Sequence, residues 1–183
     1  MALVESLKIK LGMQMPDFTL GDPNGKIYLS GELYGPKGLL VAFTCNHCPY
    51  AQAVWPRLVR LAKHIKSSGI NTVGINPNIH SGYPEDAPDK MKIKIKEWGI
   101  SFPYLVDETQ EAARAFQAQC TPDLYLFDTK RVLIYHGRLD DNWKDEKKVT
   151  KEELKEAVEN YTKGKPVSSE QFPSMGCSIK WRE

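Results

Sequence analysis

The chain has 183 residues, 41% of them hydrophobic, which is enough for one substantial core and does not require a second domain. Lysine and arginine number 25 against 23 acids, and the two signs are interspersed, which argues against a nucleic-acid footprint or binding to an anionic membrane. No apolar run approaches the roughly 18 residues of a membrane span, and Met1 to Lys10 has neither the apolar stretch nor the small-residue cleavage site of a leader, so we expect a soluble, cytoplasmic protein.

The expected organisation is one domain over residues 1–183, with 1–37 as an N-terminal extension and 164–183 as a tail that docks. In the extension, Pro16-Asp17-Phe18-Thr19-Leu20 and Lys26-Ile27-Tyr28-Leu29 flank Gly21-Asp22-Pro23-Asn24-Gly25, whose Asn-Gly and proline are hairpin chemistry. Leu39 to Thr44 is a continuous apolar run of strand length, the pattern of a central strand covered on both faces. From Pro49, Val54, Leu58, Leu61, Ala62 and Ile65 repeat at helical spacing up to Ser67-Ser68-Gly69, with Pro56 expected to kink the helix. Ile70 to Ile75 follows as a second buried strand, so the order strand, helix, strand implies a parallel pair with a right-handed crossover.

Asn76 to Asp89 has three prolines, Gly82 and no periodicity, and reads as a long surface loop of the kind kept for function or mobility. Lys90 to Trp98 is basic and fits a helix, although the alternation of Met91, Ile93 and Ile95 suits a strand equally. Phe102 to Val106 is a short strand, and Glu108 to Gln119 a helix with Ala112, Ala113 and Phe116 inward. Leu124 to Phe127 and Val132 to Tyr135, joined by Asp128-Thr129-Lys130-Arg131, form a further hairpin. Thr150-Lys151-Glu152-Glu153 has the form of a capping box ahead of a helix with Leu154, Ala157, Val158 and Tyr161 on one face. Phe172, Met175, Ile179 and Trp181 give the tail apolar groups with which to dock.

Cys45-Asn46-His47-Cys48 lies where the first buried strand hands over to the first long helix. Backbone N–H groups and the positive end of a helix dipole stabilise a thiolate there, and a two-residue spacer lets the sulfurs close a small ring. In a reducing compartment, four cysteines are poor candidates for static cross-links, so a close pair is expected to be catalytic, redox-sensing or metal-bound.

The order strand, CxxC, helix, strand, insertion, helix, Thr-Pro, hairpin, helix closely resembles the thioredoxin superfamily. More narrowly, it is similar to the AhpC/TSA branch, in which a peroxiredoxin-like chain carries a thioredoxin-style dithiol. The likeness rests on Pro16 to Leu20, Phe43-Thr44-Cys45-Asn46-His47-Cys48-Pro49, Cys120-Thr121-Pro122-Asp123, Gly137-Arg138-Leu139-Asp140-Asp141 and Gly176-Cys177-Ser178-Ile179-Lys180-Trp181, and it spans essentially the whole chain. The resemblance implies a thioredoxin-like α/β fold: a central mixed sheet flanked by helices, an N-terminal hairpin extension and an insertion before the Thr-Pro segment. It also implies a cis Pro122, with the backbone of Thr121 facing the dithiol to align an extended substrate segment.

On this reading Cys45 emerges at the strand end as the accessible, attacking thiol, and Cys48, more covered, resolves the mixed disulfide. His47 supplies a donor or positive charge beside Cys45; as the alternative it is a solvated loop histidine. Ala42 stands where thioredoxins often place a buried carboxylate, so the proton acceptor is unassigned. The expected partners are a disulfide-bearing protein or small-molecule thiol substrate and an upstream thiol reductant, with no cofactor.

A thiol peroxidase with an antioxidant role is the main rival. Aligned on Cys48-Pro49, the peroxiredoxin signature has Cys45 at its hydroxyl position and Val41 at its proline position, which leaves Thr44 to offer a hydroxyl and Arg138 a cation. Arg138 could equally pair with Asp140 or Asp141. Cys120 and Cys177 could form a second redox pair, with inert packing the alternative for Cys120. A zinc site built on Cys45, His47, Cys48 and either Cys120 or Cys177 lacks a second compact ligand pair, so no metal is expected. The remaining class is a binding module with a vestigial dithiol, using the Phe172 to Trp181 tail.

Overall fold

The computed structural model describes residues 3–182. In chain order the elements are β1 (Leu3–Glu5), β2 (Thr19–Gly21), β3 (Ile27–Leu29), β4 (Gly38–Phe43), α1 (Pro49–Lys66), β5 (Ile70–Asn76), α2 (Pro88–Glu97) and β6 (Tyr104–Val106). They continue with α3 (Glu111–Ala115), β7 (Cys120–Thr121), β8 (Asp123–Phe127), β9 (Leu133–Gly137), α4 (Glu153–Thr162) and β10 (Met175–Ser178). Seven strands form a mixed sheet in the order β3-β2-β6-β5-β4-β8-β9, and β1-β10-β7 form a second, three-stranded sheet.

Strand β4 sits inside the large sheet, parallel to β5 and antiparallel to β8, and each of its six residues is buried. Side-chain alternation divides it between two cores. Leu40 and Ala42 face the α1 side with Trp55, Leu58, Ile65, Leu154 and Val158, while Leu39, Val41 and Phe43 face Phe18, Ala113, Phe116 and Tyr125. Helices therefore flank both faces, as expected of a strand without a polar side. The hairpin β2–β3 extends the sheet beyond β6 through the Gly21–Val106 pairing.

The structure decides or changes several local expectations. Residues 90–98 form a helix, because Met91 is buried and Ile95 packs against the core while Ile93 stays exposed, so four-residue spacing overrides the alternation. The helix expected over 108–119 shrinks to α3, bounded by left-handed Gln110 (φ 63°) and Gln117 (φ 58°) and held at its start by the Asp107 carboxylate, which accepts from Ala113 N at 2.8 Å. Thr150 does not cap α4: its N–H (2.9 Å) and hydroxyl both go to Asp141, while Glu153 accepts from Arg138. The segment after β5 is the loop expected, with residues 80–82, 84, 85 and 89 exposed, but Asn78 and Asp86 are fully buried and a 3₁₀ turn, Pro84–Asp86, is tied to the dithiol turn through Asn46. Helix α1 runs without interruption through Pro56. No helix among the described residues is long and apolar enough to cross a membrane.

Candidate active site

The turn carrying the dithiol is fastened at every residue. Thr44 N donates to Ile75 O (2.9 Å), prolonging the β4–β5 pairing, and Trp55 Nε1 donates to Cys45 O (3.2 Å). Asn46 is buried: its N–H reaches Asp86 Oδ1 (2.6 Å), its amide reaches Glu85 O (2.8 Å), and its side-chain oxygen accepts from Tyr104 (3.1 Å). Cys48 is the N-cap of α1 with Pro49 as the first helical residue, a place where a missing N–H costs nothing.

Both sulfurs face Thr121. Cys45 Sγ lies 3.2 Å from Thr121 Oγ1, Cys48 Sγ donates to Thr121 O (3.2 Å), and the Thr121–Pro122 bond is cis. Behind Pro122, buried Asp123 accepts from Tyr125 Oη (3.0 Å) and His136 Nε2 (2.9 Å), which anchors this segment to β8 and β9.

The accessibility expected of Cys45 is not found: neither Cys45 nor Cys48 has exposed surface. The cover comes from segments far along the chain, the 3₁₀ turn at Asp86 on one side and β10 on the other. The order of acidity is also reversed. The hydrogen bond from Cys45 lowers the Cys48 thiol to about 5, with Cys177 and the Ala51 N–H acting in the same direction and burial opposing. The Thr121 carbonyl, which accepts from the Cys48 thiol, favours the protonated form, but the donors around this sulfur outnumber it. Cys45 is pushed up, first by burial, then by the hydrogen bond it gives to Cys48 and by the Asp86 carboxylate. Within the pair, the surroundings therefore favour ionisation at Cys48 over Cys45.

His47 is not a solvated loop histidine. Its side chain is 6% exposed, Nδ1 is bonded to Asp86 Oδ2, and Tyr83 stacks on the ring at 4.5 Å between centroids. Nε2 has no hydrogen-bond partner among the described residues. Cys45, His47 and Asp86 place donor atoms within 4.8 Å of one another. These could approach a divalent ion as three ligands, one short of a closed tetrahedral zinc site, but Nδ1 and Oδ2 are already joined to each other.

Of the auxiliary residues, Arg138 is drawn away: its Nε and Nη2 bond Glu153 Oε1 at 3.0 and 2.5 Å, and Asp140 is taken by Arg57 (2.8 Å). Neither partner suggested by the sequence is used, and no cation comes from Arg138 to the thiols. Cys120 is buried with its thiol toward Pro122 O (3.6 Å), its acidity suppressed by burial and by the Asp123 carboxylate. Cys177 lies on β10 in register with Thr121 and hydrogen-bonds Cys48. Asp86 was missed from sequence. Its signal was present, an acid between two prolines in the long aperiodic segment after β5, but nothing local ties that segment to the dithiol.

A dithiol heading a helix, facing a cis-proline segment on a mixed sheet, defines a thioredoxin-like protein. The AhpC/TSA family profile matches residues 11–136, and the chain belongs to that family. An uncharacterized conserved protein from Geobacillus kaustophilus has 42% identity and a TM-score of 0.94, over 100% of this chain and 97% of that one. The thioredoxin domain of a thiol-disulfide oxidoreductase from Bacteroides vulgatus shares the fold at 17% identity, with a TM-score of 0.59 over 70% of this chain and 89% of that one. The thiol-disulfide oxidoreductase ResA of Bacillus subtilis (strain 168) is 26% identical over 126 residues, 69% of this chain and 66% of that protein, so the match spans just under two thirds of the relative.

Proposed function

We propose that the protein is a thiol-disulfide oxidoreductase working through the Cys45/Cys48 couple. The carrying observation is geometric: Cys45 and Cys48 sit at the N-terminus of α1 with both sulfurs 3.2 Å from Thr121 atoms beside the cis Thr121–Pro122 bond, and the lowered pKa of Cys48 picks it as the attacking thiol. Kinship to ResA supports the same reading. The Cys48 thiolate attacks a substrate disulfide; one substrate sulfur leaves as a thiolate and a mixed disulfide forms on Cys48. Cys45 then loses its proton and attacks Cys48 Sγ, closing the Cys45–Cys48 disulfide and releasing the second substrate sulfur. The neighbouring His47–Asp86 pair is the acceptor we assign to that proton, filling the role that Ala42 leaves open. An upstream thiol reductant runs the cycle again. Beside Pro122, a cavity of about 220 Å³ combines apolar Val54, Trp143 and Met175 with charged Glu5, Arg138 and Asp141, and could seat part of a substrate chain next to the cis-proline.

The test is reduction of insulin disulfides with dithiothreitol as donor. Cys48→Ser drops the rate to that of dithiothreitol alone; a Cys48→Ser protein that still turns over sinks the assignment. A thiol peroxidase is the second reading, favoured by the family and by the depressed Cys48 thiol. It predicts peroxide consumption that Cys48→Ser abolishes, whereas with Arg138 committed to Glu153 we expect little.

A further inference from the structure

Beyond the dithiol, a third sulfur meets Cys48. Strand β10 pairs antiparallel with β7, Cys177 opposite Thr121 and Ser178 opposite Cys120, and Thr121 O accepts from Cys48 Sγ at 3.2 Å. The Cys177 thiol closes the arrangement by hydrogen-bonding Cys48, and both residues belong to one buried apolar cluster. The fit depends on Gly176: a Cβ there would stand 2.0 Å from Thr121 O and 2.6 Å from its carbonyl carbon, both backbone atoms that cannot yield. Only a glycine lets the strand lie close enough to bring the next side chain to Cys48. Strand β1 clips the outer edge of β10, Val4 opposite Gly176.

We infer that Cys177 is a second resolving thiol, competing with Cys45 for a disulfide formed at Cys48. This rests on the oxidoreductase reading above. Cys177 loses its proton and attacks Cys48 Sγ; the Cys48–substrate S–S bond breaks, a Cys48–Cys177 bond forms, and the substrate sulfur leaves as a thiolate that takes up a proton. Two sulfurs change partner and no external oxidant is consumed. Burial is the largest influence holding Cys177 protonated, followed by its hydrogen bond to Cys48 and the Cys48 charge, while Lys180 acts in the opposite direction. The two Cys48 contributions vanish once Cys48 is in a disulfide, so substrate attachment itself activates Cys177.

The experiment treats reduced protein with glutathione disulfide, alkylates the remaining thiols and maps the linkages by peptide mass spectrometry. Cys45→Ser is expected to yield a Cys48–Cys177 linked peptide with about tenfold less glutathione on Cys48 than Cys45→Ser/Cys177→Ala, in which the adduct persists. The wild-type chain, which needs no substitution to fold, is expected to show the Cys48–Cys177 peptide beside Cys45–Cys48 under partial oxidation. If Cys45→Ser keeps its adduct as fully as the double variant, with Cys177 alkylated, and wild type gives only Cys45–Cys48, the third thiol is excluded and the oxidoreductase stands. If wild type forms neither adduct nor disulfide, both fall.

Discussion

At the scale of single residues, the proposed chemistry turns on Cys48 and Asp86. A folded value of about 5 for Cys48, against an ordinary 9.0, means that between those pH values the unfolded chain binds a proton that the folded chain does not. Stability from this group therefore rises with pH across that window and is lost as pH falls toward 5. Cys45 shifts the other way, so its contribution holds through the same window and fades only above the ordinary thiol range. The thermal midpoint of the reduced protein relative to Cys48→Ala should accordingly shrink as pH is lowered; a constant difference would show that Cys48 is not a thiolate. Asp86 accepts from Asn46 N (2.6 Å), Asn76 Nδ2 (3.0 Å) and His47 in a fully buried site. Asp86→Asn turns a charge-assisted acceptor into a half-matched amide and is expected to cost about 2–4 kcal/mol in urea unfolding of the reduced protein.

Among the elements, β10 separates this site from an open dithiol. Gly176→Val has no room against Thr121 and should lift the strand, so that iodoacetamide labels Cys48 about tenfold faster or more at neutral pH. An unchanged labelling rate would mean that β10 does not limit access. The large sheet was legible in the sequence because its signals are local: the apolar run of β4, the helical spacing of α1 and the apolar run of β5 each stand within one short window. The dithiol was legible for the same reason. Its cover was not, since Asp86 and Cys177 approach from segments without periodicity, and only the tertiary pairing shows that they converge. Thr150 failed in the opposite way, a correct local motif outbid by the Asp141 carboxylate.

The whole molecule ties redox state to folding. Contacts that stabilise the Cys48 thiolate exist in the folded, reduced protein and disappear when the disulfide closes. By linkage, whatever favours the folded thiolate makes the folded disulfide more oxidising than that of the unfolded chain. Reduced protein should thus melt at a higher temperature than its Cys45–Cys48 disulfide form at neutral pH, measured side by side by calorimetry; a higher midpoint for the oxidised form would reverse that conclusion.

The termini of the described chain meet over the thiols, and synthesis makes them at different times. Strand β1 finds its only strand partner in β10 among the described residues, and β10 is translated after every strand of the large sheet. A nascent chain therefore passes through an interval in which the sheet, helix α1 and the turn at Asp86 can form while the β10 side of the sulfurs stands uncovered. Disulfide partners at hand in that interval meet a Cys48 less covered than the folded chain presents.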